Sequence, residues 1–207
     1  LKTLLAIGLC LLPIGCAATP PLTLAQLEAN RERNVAAATR TYPGRPIADV
    51  KAAAFEVLRL INPQEMKLDV RPDRILASQT FMINLILSGS SGQRWYEVIF
   101  VEDASGTKVI LNLEKETETG ALIIPMKSSS FKQDIATSGN DRLPANYAVF
   151  YERLDYMLGL RTDWPSCAPY EKGLLSPEYF CGGFNGGLGV SNVTPTGPTP
   201  GPAKIAN

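Results

Sequence analysis

Two periodicities alternate along the chain. From Pro46 to Ile61, the apolar residues Ile47, Val50, Ala54, Val57 and Ile61 recur at spacings of three and four, which predicts a helix with one apolar stripe. Pro46 suits the first helical position, Asp49 complements the positive end of the dipole, and Asn62-Pro63 ends the run. The period then falls to two. Ile75, Ala77, Phe81, Ile83, Leu85 and Leu87 share one parity, with Gln79 as the exception. Trp95 to Val101 is aromatic and β-branched, and Val109, Leu111 and Leu113 alternate with Lys108, Asn112 and Glu114. Ser88–Gly92 and Asp103–Gly106 read as turns between these strands, and a shorter strand is expected around Met66 to Val70. The helical period returns at Pro144, with Tyr147, Tyr151, Leu154 and Leu158 on one face and Gly159 as the stop. Helix, a meander of three to four antiparallel strands, and a second helix predict an α+β domain over 46–181.

The two ends follow neither period. Lys2 precedes a nearly continuous apolar run from Leu4 to Ile14, about half the roughly 20 residues a membrane-spanning helix needs, and Pro13 and Gly15 break it. This is the layout of a secretory signal peptide over 1–15. Residues 16–45 read as a tether with a short helical piece around Thr23 to Asn30; Glu28 to Arg45 carries Arg31, Arg33, Arg40 and Arg45 against two glutamates. A basic segment beside a lipid anchor can touch anionic headgroups, and a solvated linker face is the plainer reading. From Gly182 to Asn207, Gly and Pro dominate and Lys204 is the only charge, so a disordered tail is expected.

The segment Leu12-Pro13-Ile14-Gly15-Cys16-Ala17 resembles the lipobox of bacterial lipoproteins, with Pro13 in place of the usual Leu. The resemblance implies that Cys16 is lipid-modified and becomes the mature N-terminus. It also implies a cell-envelope location, with Ala17 after the Cys pointing to the outer membrane, facing the periplasm. Ordinary signal cleavage, with Cys16 and Cys10 as spectators, is the alternative. Export in turn gives meaning to the remaining cysteines, Cys167 and Cys181, which are expected to form a disulfide in an oxidising compartment. A redox or zinc pair is the rival, but the spacing is not CxxC and the chain has no histidine.

That missing histidine matters beyond metal sites. It removes His-based acid/base catalysis and His-dependent serine or cysteine hydrolases. Twenty basic residues balance 20 acidic ones in a chain of 207, which argues against a nucleic-acid binder. Removing residues 1–15 takes away one charge, Lys2, so near-neutrality survives processing.

Candidate chemistry is sparse. Gly182 to Gly189 lacks the Gly-Lys-Ser/Thr ending of a phosphate loop. Glu114, Glu116 and Glu118 share one strand parity, where a solvated face is the plainer reading than acid/base work or calcium binding. No Gly-x-Ser-x-Gly elbow is present. Neither catalysis nor a cofactor or metal is expected. The better clue is apolar residues on the polar parity of the sheet: Met82, Ile86, Trp95, Ile99 and Ile110 would make one patch, an interaction surface or lipid-contacting groove unless Leu122 to Met126 or the second helix covers it. The order of elements from Thr41 to Glu118 resembles the helix-grip-like domains of bacterial envelope lipoproteins, including accessory subunits of outer-membrane assembly machinery. The resemblance implies a lipid-anchored module that binds an envelope protein partner, or else a carrier of a small hydrophobic ligand or lipid held between helix and sheet.

Overall fold

A computed structural model describes residues 23–84, 88–121, 129–134, 144–167 and 179–181. In chain order its elements are α1 (Leu24–Ala37), β1 (Thr39–Pro43), α2 (Ile47–Ile61), β2 (Lys67–Val70), β3 (Arg74–Asn84), β4 (Ser88–Asp103), β5 (Gly106–Ala121), β6 (Ser129–Asp134) and α3 (Pro144–Met157). The class is α+β, as the alternating periods imply.

Strands β2 to β5 form the expected antiparallel meander. The sheet is larger than predicted, with six strands in the order β1-β5-β4-β3-β2 and β6 also paired to β5. β1 and β6 share one edge of β5, β1 along Gly106 to Ile110 and β6 along Glu114 to Thr119. The chain leaves β1 at one edge, runs through α2, and enters β2 at the opposite edge.

The stripe on α2 explains its place. Val50, Ala54 and Val57 are wholly buried and Ile61 nearly so, while Ile47 packs against the margin of the core. Each of these valine and isoleucine side chains contributes about 1.5–3 kcal/mol when it fully leaves water. Pro46 is the N-cap rather than the first helical residue. The stripe meets one face of the sheet, built from Ile75 and Ala77 on β3, Tyr96, Val98 and Phe100 on β4, and Val109, Leu111 and Leu113 on β5. The exception noted at Gln79 is real: it is buried on this face, opposite the equally buried Arg94. On α3, Tyr147, Tyr151, Leu154 and Leu158 are buried as predicted, but so are Val149, Phe150, Arg153 and Met157, so the helix is enclosed on more than one side. Gly159 follows at φ +71°, the left-handed conformation that ends helices on glycine.

Two expectations are corrected. Ser88–Gly92 is not a turn but the start of β4, paired with Phe81–Asn84 and with Thr117–Ala121. Strand pairing uses backbone groups, so small polar side chains do not forbid it. Gly92 is required there, because a Cβ would lie 2.0 Å from the Glu116 carbonyl oxygen and 2.9 Å from the Phe81 ring. β6, over Ser129–Asp134, has no counterpart among the predicted strands. The segment expected as a tether over 16–45 holds α1 and β1, and Ala38 and Tyr42 join the core. The sheet therefore begins before residue 46. Residues 1–22, including Cys10 and Cys16, and the tail 182–207 lie outside the described residues, as does Leu122–Met126.

Candidate functional site: the outer face of the sheet

Because side chains alternate across a strand, the residues not used in the core point to the opposite face. On β3 these include Arg74 and Leu76, on β4 Trp95, Glu97 and Ile99, and on β5 Ile110, Asn112 and Glu114. Three of the five predicted patch residues are brought together here. Ile99 lies directly opposite Ile110, and Trp95 lies opposite Glu114 on one side and Ser78 on the other. All three are half-buried. Met82 is on the same parity of β3, opposite Ser91, but its side chain is outside the described residues, as is the whole of Ile86. Of the two proposed covers, α3 is on the other face: its Tyr151 hydroxyl reaches the carbonyls of Ala38 and Val109 at 2.6 and 3.1 Å, within the core.

The face is not the continuous apolar patch that parity predicts. A polar row crosses it between Trp95 and the Ile99–Ile110 pair. Arg74 Nη1 donates to Glu97 Oε1 at 2.7 Å, and Asn112 Nδ2 donates to Glu97 Oε2 at 3.0 Å. The same guanidinium donates through Nη2 and Nε to Asp73 Oδ2 at 2.8 and 3.1 Å. These bonds raise the Arg74 pKa above its ordinary value, Asp73 contributing most and Glu97 next, and the Arg74 bond holds the Asp73 carboxyl below the usual range. Beside this row is a depression of about 260 Å³ lined by Leu76, Trp95, Glu97, Asn112 and Glu114. It offers an indole, an amide and carboxylates on a rigid strand scaffold, a set suited to gripping a partner's polar and apolar groups together.

The acidic parity of β5 faces β6, with Glu114 opposite Asp134 and Glu116 opposite Lys132. Among the described residues, no group of three or more Cys, Asp or Glu side chains could hold a metal ion. Cys167 and Cys181 form the predicted disulfide, with Cα atoms 5.5 Å apart. Its surroundings were not predicted. Arg153, 1% exposed, donates to the Phe180 carbonyl at 3.0 Å and to Cys167 Sγ at 3.3 Å, and its guanidinium stacks 5.0 Å from the Trp164 ring centre. Burial pulls its pKa down to about 10, so it stays charged at neutral pH. The available signal was its position, three residues after Phe150 and four before Met157, inside an apolar stripe.

Among the described residues, no helix is long and apolar enough to cross a membrane. No protein-family model, curated protein or solved structure matches the chain.

Proposed function

We propose that the protein is a lipid-anchored module of the bacterial cell envelope, at the outer membrane and facing the periplasm, that holds a protein partner on the outer face of its sheet without catalysis. The observation that carries this reading is that face itself. Trp95, Ile99 and Ile110 stand half-buried around the Arg74–Glu97–Asn112 row, on the side of the sheet opposite α2 and α3. Apolar anchors set among satisfied polar groups are the composition of protein-binding surfaces. The anchor rests on the lipobox-like run ending at Cys16. A helix crossing behind an antiparallel sheet supports the helix-grip likeness.

The carrier alternative has less support. Between α3 and the sheet, Tyr96, Phe150, Tyr179 and Phe180 are fully buried; Tyr96 packs edge-on against Tyr179 and Phe180, and Phe150 meets Phe180 at a tilt, with ring centres 5.6–5.7 Å apart. This packing favours the partner-binding reading.

The test is a photo-crosslinking residue in place of Ile99 in intact cells, with Thr162, exposed near the end of α3, as control position. A reproducible protein adduct from position 99 and none from 162 is expected. Absence of any adduct from 99 would overturn the binding role. Cys16→Ala is expected to abolish fatty-acid labelling and release the protein from membranes; persistent labelling would refute the anchor.

A further inference from the structure

Helix α1 buries polar side chains and exposes apolar ones, the reverse of a helix packed on a core. Its buried side chains are polar, Asn30 and Asn34, while Leu24, Leu27 and Val35 are 72%, 38% and 50% exposed. Those are three of the five large apolar side chains that stand exposed among the described residues. At about 100° per residue, Leu24, Leu27, Arg31 and Val35 fall within an arc of about 80°, so they form one stripe along three turns of the helix. The start of the helix is fixed. Gln26 N donates to Thr23 Oγ1 and Thr23 N donates to Gln26 Oε1, a reciprocal capping box that sets Leu24 as the first helical residue.

What lies opposite that stripe follows from chain length. Cys16 is eight residues before Leu24. Fully extended, eight residues span at most about 28 Å. A lipid on Cys16 would therefore hold the first turn of α1 within about 28 Å of the bilayer surface, at an effective concentration where a surface too small to bind alone can engage. Arg31, exposed in the middle of the stripe, suits the same surface, since a guanidinium on a long stem reaches phosphate headgroups while its neighbours enter the acyl boundary.

We infer that α1 lies in the interface of the bilayer, its Leu24–Leu27–Val35 stripe inserted and Arg31 at the headgroup phosphates, so that the module is held against the membrane rather than swinging freely on its tether. This inference rests on the lipid-anchor reading of Cys16.

The test uses the full lipidated protein reconstituted in vesicles of phosphatidylethanolamine and phosphatidylglycerol. A nitrobenzoxadiazole label is placed on Leu24→Cys or, as control, on Leu160→Cys, whose leucine is 55% exposed elsewhere on the surface. The label at 24 is expected to shift its emission to the blue and to lose intensity when nitroxide lipids are added, whereas the label at 160 emits as in water. Adding Leu27→Glu and Val35→Glu should return the label at 24 to aqueous emission with the urea midpoint unchanged. An aqueous label at 24 on protein that floats with the vesicles overturns the inference and leaves the anchor standing. A shielded label that nitroxide lipids do not quench places protein over the stripe and also overturns it. Protein that neither floats nor carries lipid overturns both.

Discussion

Tyr151 joins three parts of the chain through one oxygen. Its hydroxyl donates toward the carbonyls of Ala38, at the junction of α1 and β1, and Val109 on β5, while its ring is buried among core side chains. Burial raises its pKa well above the ordinary value of about 10, and burial followed by the Asp155 carboxylate does the same for Tyr42. A raised folded pKa means that protonation stabilises the native state. That stability is complete below about pH 10 and is lost as pH rises further, because the unfolded chain then releases a proton that the folded one keeps. Tyr151→Phe is expected to cost about 1–2 kcal/mol at pH 8, through two buried carbonyls left with one donor fewer. Above pH 10 the gap between the two proteins should narrow by about 1.4 kcal/mol per pH unit. Arg153, whose depressed pKa acts in the opposite sense, is common to both and cancels. Urea titrations from pH 8 to 11 check this, and a gap that stays constant would contradict the protonated, buried phenol.

At the scale of elements, β1 is where the sequence and the structure part most. Thr39–Pro43 offers one core residue, Tyr42, and no alternation, so period-two reasoning passes over it. It is held by pairing with Gly106–Ile110, by burial of Tyr42, and by Asp155 on α3, which accepts from Arg40 Nη1 at 2.8 Å and from the Tyr42 hydroxyl at 3.1 Å. A chain starting at Thr23 is expected to match the full chain in urea midpoint. One starting at Arg45 should lose about 3 kcal/mol or more from the Tyr42 side chain alone, and aggregate through the bared edge of β5. Equal midpoints for the two would restore a domain boundary at residue 46. Elements with a side-chain signature were legible: α2 from its stripe, α3 from its tyrosines, β3 and β5 from alternation, and β4 from its aromatic and β-branched run. β1, β6 and the first residues of β4 are held by backbone pairing at edges and hairpin ends, which leaves little trace in residue type. The site divides the same way. Parity placed Trp95, Ile99 and Ile110 on one face, but the Arg74–Glu97–Asn112 row depends on cross-strand register, which a single strand's sequence does not contain.

For the whole molecule, the decisive covalent feature is the bridge that returns the chain to its core after α3. Tyr179 and Phe180 are fully buried beside Cys181. The Tyr96 hydroxyl donates to the Tyr179 carbonyl at 2.8 Å, Tyr179 N donates to Asn146 Oδ1 at 3.2 Å, and Arg153 donates to the Phe180 carbonyl. This short segment is thus tied to β4 and α3 at once and completes the aromatic interior. A bridge between positions 14 apart contributes about 3 kcal/mol in the chain-entropy account. Because Tyr179 and Phe180 belong to the same hydrophobic cluster as α2 and the sheet, losing the bridge should weaken the whole fold and not only its end. Cys167→Ser with Cys181→Ser is therefore expected to lower stability in urea by about 3 kcal/mol, in a single transition. Dithiothreitol should produce the same shift in the unsubstituted protein and none in the variant. A reduced protein that first releases a minor transition of its own would show that Tyr179 and Phe180 form a detachable plug, and an unchanged midpoint would show that packing and hydrogen bonds hold them without the bridge.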